Sequence, residues 1–334
     1  MIDPTLQQNI SDWFTKMDSY EKRKAIADQR NIDEINNLVS DVNLIFQKHN
    51  VNSQITDKQI AFNSNEIHNI FLADKTLSNI LFDACFPKPT PKLFSHYTTF
   101  QAFANIVSSK TLRLFNLQKN HKAGEFAEFY DDHNIFGYND KTKLLGIPTD
   151  KDSIMAEIFC LCLTAYGLDR FDTNKWRDFG DFGKGIRIDF EIQPHIAEFR
   201  KIYYPNPAKS GIPILKDFFE TIPTKYGLPL NFTGISKIGS YYIKNEFNSE
   251  NEYRFLIKRT SDEYLAHYLS PVKVDDKVAY INIALNSPFA DFKIISVQPG
   301  YDFPSENLPE VEELIQTHSK ETDLLDKAID YSSF

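Results

Sequence analysis

Three stretches of this 334-residue chain gather side chains that could do chemistry. Ser95-His96-Tyr97-Thr98-Thr99 sets hydroxyls, an imidazole and a phenol in one run, a hydrogen-bonding mouth for a polar ligand. Glu250-Asn251-Glu252-Tyr253-Arg254-Phe255-Leu256-Ile257 has the period of a strand, with Glu250, Glu252 and Arg254 on one face and Tyr253, Phe255 and Ile257 on the other. Two carboxylates so close repel, so one can bind its proton more tightly while the guanidinium holds the other ionised. That arrangement suits acid/base work or the stabilisation of a developing cation. An ordinary Glu/Arg ladder on a solvated strand has the same pattern, and both readings stay open here. The third stretch runs from Asn174 through Trp176 to Gly185 and leads into Ile186-Arg187-Ile188-Asp189-Phe190. Its glycines are wrongly spaced for a Walker or Rossmann loop and read as a turn. Trp176, one of 2 tryptophans, either offers a ring face to a ligand or fills the core.

Metal and disulfide chemistry find no support in the pattern. The chain has 3 cysteines, Cys85, Cys160 and Cys162, without zinc or Cys-x-x-Cys spacing. Cys160 and Cys162 are expected as small core groups on one side of a strand. The histidines besides His96 form no metal-ligand pairs, and no G-x-S-x-G elbow is present.

The elements that must position these residues follow from periodicity. Apolar, β-branched and aromatic runs predict strands near 93–97, 111–115, 158–164, 185–190, 252–258, 278–285 and 293–298. Helices are expected near 99–109, where Phe100, Phe103, Ile106 and Val107 share a face, and near 122–130 and 213–220. Glycine is absent before Gly124, although the chain holds 12, and Pro87, Pro89 and Pro91 arrive together. Asp3-Pro4 reads as a helix start, and Ile35, Leu38, Val39, Val42 and Ile45 fall at helical spacing. The expected organisation is a helical region at 1–86, a stiff connector at 87–92, a main domain at 93–305, and a helix and tail at 306–334. The fold class expected is α+β.

A net charge of −9 gives no global field to recruit nucleic acid, which would need a local basic patch such as Lys110, Arg113, Lys119 and Lys122. The start of the chain lacks the character of a signal peptide, and no run of 18 apolar residues occurs, so a cytoplasmic protein without membrane contact is expected.

The order of these motifs resembles a widespread bacterial family of uncharacterised and abortive-infection-type proteins. The resemblance rests on His96-Tyr97-Thr98, then Phe103, Ile106, Val107, Ser109-Lys110, Leu112 and Leu114. A strand at Phe159 to Thr164, Trp176, Gly185 with Ile186 to Phe190, the Glu250-x-Glu252-x-Arg254 strand, and Ile294 to Gly300 complete it. It covers residues 93 to about 300. The His-x-Thr opening followed by a helix is also similar to the first motif of ADP-ribosyltransferases of the diphtheria-toxin, poly-ADP-ribose polymerase and DNA-thymidine-modifying kinds.

That resemblance implies a split mixed or antiparallel sheet with flanking helices, NAD as substrate and no metal. It implies His96 on a ribose hydroxyl, Thr98 and Tyr97 seating the nicotinamide portion, and Glu252 as the catalytic carboxylate with Glu250 beside it. Arg254 and Trp176 would join the cofactor site. Two departures matter. Where the family carries Asn-Asp-Pro-x-Glu, this chain has Asn120 to Glu125, so no role passes to Glu125. The paired tyrosines of polymerase-type members are absent, with Tyr97, Tyr166 and Trp176 as substitutes. The implied function is transfer of ADP-ribose from NAD to a protein or nucleic-acid acceptor, as a toxin or defence effector. NAD glycohydrolysis and an inactive nucleotide- or protein-binding module are the alternatives.

Overall fold

The computed structural model describes residues 32–62, 65–70, 76–89, 92–117, 126–135, 143–144, 147–148, 155–167, 173–232, 234–259, 272–275 and 278–319. The expected helix start at Asp3-Pro4, Lys119, Lys122, Glu125, Pro91 and the tail after Ser319 lie outside these residues. In chain order the elements are α1 (Ile32–Lys48), β1 (Ile60–Phe62), β2 (Ile67–Asn69), α2 (Leu77–Cys85), β3 (Leu93–Thr98), α3 (Phe100–Ser109), β4 (Thr111–Asn116), α4 (Ala127–Asp132), β5 (Lys143–Leu144), β6 (Ile147–Pro148) and β7 (Ile158–Ala165). They continue with α5 (Thr173–Phe179), β8 (Ile186–Pro194), β9 (Glu198–Lys201), α6 (Pro213–Tyr226), β10 (Leu230–Asn231), α7 (Ile235–Gly239), β11 (Glu252–Lys258), β12 (Lys273–Asp275), β13 (Val278–Ala284), β14 (Ala290–Pro299) and α8 (Leu308–Ser319).

The chain divides into two compact units, and neither is one continuous segment. One comprises residues 1–85, 127–136 and 205–240. The helical region expected at 1–86 therefore differs in two ways. It contains β1 and β2, which β10 extends to a three-stranded sheet, and its helices pack on partners from far along the chain. Leu38 and Val42 of α1 are fully buried, as are Leu215, Phe218 and Ile222 of α6, and the two helices pack together. Lys48 and His49 meet Asp217 at 2.6 and 2.7 Å, and Lys225 meets Asp41 at 2.7 Å. Amphipathic stripes identify such helices but do not say which partner covers them.

The same unit holds a buried histidine that the sequence reading passed over. His133 is fully buried at the end of α4, its Nδ1 2.6 Å from the Phe129 carbonyl, so Nδ1 carries the proton. Its Nε2 then accepts the Ile212 N–H at 2.7 Å, tying down the N-cap of α6. Burial pushes this imidazole down to about 4.

The second unit comprises residues 86–126, 137–204 and 241–334. It is built on a nine-stranded sheet ordered β12-β13-β4-β7-β3-β8-β14, with β11 on β7 and β9 on β11. Every pairing in it is antiparallel. One sheet face carries Phe94, Phe159, Leu161, Leu163, Ile188, Phe255 and Ile281, and Phe103, Ile106 and Val107 of α3 with Val311 and Ile315 of α8 join this core. α8 packs on the core along the one stripe of Val311 and Ile315. The α+β class holds.

Removal of residues 1–86 is expected to uncover Leu215, Phe218 and Ile222 and to yield aggregated protein, which sedimentation of the 87–334 fragment checks. A second expectation concerns acid. The unfolded chain protonates His133 near 6.5 while the folded one resists to about 4. Its stabilising contribution is then full above pH 6.5 and is lost as pH falls towards 4, by on the order of 3 kcal/mol. Urea midpoints at pH 7 and 4.5 should drop further for the parent than for His133→Gln.

Candidate functional site

The site begins with an irregularity of β7. β11 pairs with β7 along its whole length, from Glu252↔Thr164 to Lys258↔Ile158. The opposite edge of β7 is shared by two strands. β4 takes one end, with Phe115↔Cys160 and Asn116↔Phe159. β3 takes the other, with Phe94↔Ala165 and Ser95↔Thr164. Between these ends no strand pairs with residues 161–163 on that edge among the described residues. β3 and β4 are thus held apart, and α3 connects them. Both run antiparallel to β7 and so parallel to each other, a relation that requires a crossover rather than a hairpin. Thr99 caps α3 by accepting the Ala102 N–H at 3.2 Å, and Lys110 ends it in the left-handed region.

A cleft of about 1150 Å³ opens at this parting. It is lined by Ser95 to Thr99 of the β3 end, by Gln101, Asn105 and Ser109 of α3, by Arg113 of β4, by Cys160 to Thr164 of β7, and by Glu250, Glu252 and Arg254. The volume exceeds the roughly 300–1,000 Å³ usual for drug-sized ligands. Most of the lining is hydroxyl, amide or charged.

His96 bridges the parting. Its Nδ1 lies 3.1 Å from the Cys162 carbonyl, an oxygen in the stretch of β7 where neither β3 nor β4 is paired. A carbonyl only accepts, so Nδ1 is the protonated nitrogen, and in the neutral ring Nε2 is an acceptor. Burial lowers the His96 pKa, partly offset by the carbonyl bond, which favours that neutral form.

Glu252, 5% exposed, begins β11. Arg254 sends Nε and Nη2 to the same Glu252 oxygen, Oε1, each at 3.1 Å. The guanidinium is 2% exposed, and Arg200 stands opposite it on β9, engaged with Glu198 at 3.1 Å. The two Arg254 nitrogens on one oxygen hold the Glu252 carboxylate in a fixed orientation. The Glu252 N–H donates to Tyr204 Oη at 3.1 Å, and burial with the nearby Glu252 and Glu250 charges raises the Tyr204 pKa, so the phenol keeps its proton.

The expected site residues meet this structure unequally. His96, Tyr97, Thr98, Glu250, Glu252 and Arg254 all line the one cleft. By strand alternation Glu252 shares a face with Thr164 and Ser95, whereas His96 shares one with Phe94. They meet at the same cleft only because the sheet is parted between them. Glu250 is not on the strand: it closes a 3-10 turn at Asn245–Glu250, and Asn251 at φ 47° separates it from β11. Trp176 is a correction. It lies in α5, 2% exposed, edge-on to Tyr97 at 5.0 Å and pressed against Gly180 and Gly300, so it supports the wall and offers no face to a ligand. Cys162 is also corrected: it is exposed to the cleft, where its hydrogen bond with Cys160 and the Glu252 charge hold the thiol well above its ordinary pKa and unsuited to nucleophilic work.

Several residues escaped the sequence reading. Glu252↔Thr164, Thr164↔Ser95, Ser95↔Asp189 and Asp189↔Ser296 are register partners, so a polar row crosses five neighbouring strands. A bulge at Ile295 brings Ser296 opposite Asp189. Asp189 is fully buried, takes a hydrogen bond from Ser95 Oγ at 2.6 Å and one from Ser296 Oγ, and pairs with Arg187 at 3.0 Å. The alternating Arg187 and Asp189 were the available signal, but alternation alone also describes a solvated face.

Among the described residues no cluster of His, Cys, Asp or Glu could hold a metal ion, and no helix is long and apolar enough to cross a membrane. Comparison with protein-family models, curated proteins and solved structures returns no match. The geometry of the cleft therefore carries the functional reading.

Replacing Arg254 by Ala is expected to leave Glu252 buried without its counter-ion, with a loss of about 3–5 kcal/mol in urea unfolding. Arg254→Lys keeps the charge without the two-nitrogen grip and should lose less.

Proposed function

We propose that this protein is an NAD-using ADP-ribosyltransferase whose reaction takes place in the cleft beside β7. The observation that supports it best is Glu252, a carboxylate fixed by Arg254 at the wall of a large cleft. Breaking the bond between nicotinamide and ribose sends the bonding electrons to the leaving ring and develops positive charge on the ribose. A carboxylate held ready stabilises that charge more in the transition state than in the ground state. Because Arg254 already sets its orientation, Glu252 need not reorganise as the cation forms.

His96, neutral and with Nε2 accepting, suits a ribose hydroxyl. Thr98 and the Tyr97 segment line the same cleft, and Tyr97 is held by Trp176 behind it. Glu250, in the 3-10 turn before β11, lines the same cleft, and in this reading it takes the proton that an acceptor releases on attack. The overall change balances: ADP-ribose passes from NAD⁺ to an acceptor bearing hydrogen, and nicotinamide and a proton are released. The protein acts as an effector on a protein or nucleic-acid acceptor, and water in place of that acceptor would make the reaction a hydrolysis.

The test is nicotinamide release from NAD⁺ by the full chain in the presence of bacterial lysate as acceptor source. Glu252→Gln keeps the shape and removes the charge, and a fall on the order of a hundredfold is expected with the melting temperature little changed. Equal turnover by the folded variant and the parent would remove Glu252 from the chemistry.

A further inference from the structure

We infer that Tyr204 is a positioning residue for the reaction at Glu252, its hydroxyl standing in for a strand partner at the residue that begins β11. The inference rests on the reading of Glu252 given above. β11 runs beside β9 from Tyr253↔Lys201 to Leu256↔Glu198, and one residue further the Ile202 N–H donates to the Glu252 carbonyl at 2.9 Å. In a regular antiparallel ladder such a pair exchanges both bonds, so the Glu252 N–H would return to the Ile202 carbonyl. Here that N–H goes instead to Tyr204 Oη at 3.1 Å. β9 has ended at Lys201, and the chain turns off at Tyr203, whose N–H donates to the Tyr241 carbonyl at 2.8 Å.

The bond falls where β11 is least supported by its own ladder. Asn251, just before it, is in the left-handed region at φ 47° and closes the 3-10 turn through its N–H to the Asn248 carbonyl at 3.2 Å. Two residues on, Tyr241 Oη lies 3.2 Å from the Arg254 carbonyl. One tyrosine thus holds the backbone at Glu252 and another at Arg254, which keeps the spacing at which two guanidinium nitrogens reach one Glu252 oxygen. A side chain serves here where a longer strand would not. β9 continued past Ile202 would run beside Asn251 and Glu250, whereas Tyr204 supplies the acceptor alone and leaves Glu250 in the lining of the cleft. Burial and the Glu252 and Glu250 charges keep the proton on the phenol, so Tyr204 adds no charge beside the reacting carboxylate. Its contact is with the Glu252 backbone, and it acts through the carboxylate which that backbone carries.

Nicotinamide release from NAD⁺ is measured for the full-length parent, Tyr204→Phe, Glu252→Gln and the double variant, with thermal unfolding showing that each is folded. Tyr204→Phe keeps the ring and removes the acceptor, and kcat is expected to fall on the order of tenfold while KM for NAD⁺ stays within about twofold. In the Glu252→Gln background the same substitution should cost less than about twofold, because a residue that acts through the carboxylate has no charge left to place. No fall in kcat on Tyr204→Phe, or an equal fall in both backgrounds, would overturn the assignment of Tyr204 and leave the chemistry at Glu252 standing. Full activity of folded Glu252→Gln, or a parent without turnover, would overturn both. Should Tyr204→Phe not fold, residue-resolved amide exchange on the parent decides. The Glu252 amide is expected to be protected to within about tenfold of the Phe255 amide in the middle of the strand, and faster exchange would overturn the assignment.

Discussion

A single strand edge shared by two partners governs the architecture of the larger unit. β7 offers one edge wholly to β11 and divides the other between β4 and β3, leaving residues 161–163 without a strand partner on that side among the described residues. Backbone polar groups released from a ladder must be satisfied by something else or remain in contact with water. Here the His96 ring takes the Cys162 carbonyl, and the remaining space is the cleft. α3 enforces the separation: ten residues of helix lie between β3 and β4, and Phe103, Ile106 and Val107 root it in the core.

Two buried ion pairs stand on the polar side of this sheet, Arg254 with Glu252 and Arg187 with Asp189. Buried pairs of this kind bring little net stability, since desolvation offsets most of their attraction. Their value lies in orientation. Arg254 fixes where the Glu252 charge sits, and Asp189 fixes where the Ser95 proton points. The turn that follows α5 covers the region through close backbone contact. A Cβ on Gly185 would stand 2.2 Å from the Thr98 carbonyl, and one on Gly300 2.2 Å from that of Gly183. The glycines that superficially suggested a phosphate loop thus serve tight packing at the end of β3.

How much of this could be read from the residues differs by element. The strands at 93–98, 111–116, 158–165 and 252–258 and the helix at 100–109 follow closely from apolar periodicity, because each has one face in the same core. α5 was hidden by its polar run and terminal glycines, and β9 by its four-residue length. The discontinuity of the smaller unit could not be seen, since stripes such as Leu38 and Val42 carry no record of the distant α6 face that covers them. Glu252 and Arg254 were legible as a pair two apart on a strand. The row from Glu252 to Ser296 was not, because it exists only through the register of five strands and a bulge at Ile295.

The parting also alters what it means for His96 and Glu252 to share a site. On an unbroken sheet, alternation would put a residue aligned with Phe94 and one aligned with Thr164 on opposite surfaces, beyond the reach of one small ligand. With β3 and β4 apart, the cleft passes through the sheet edge and is lined from both sides, by α3 on one and by the start of β11 on the other. The same break in the ladder therefore creates the cleft and brings into its lining two residues that the register puts on opposite faces of the sheet.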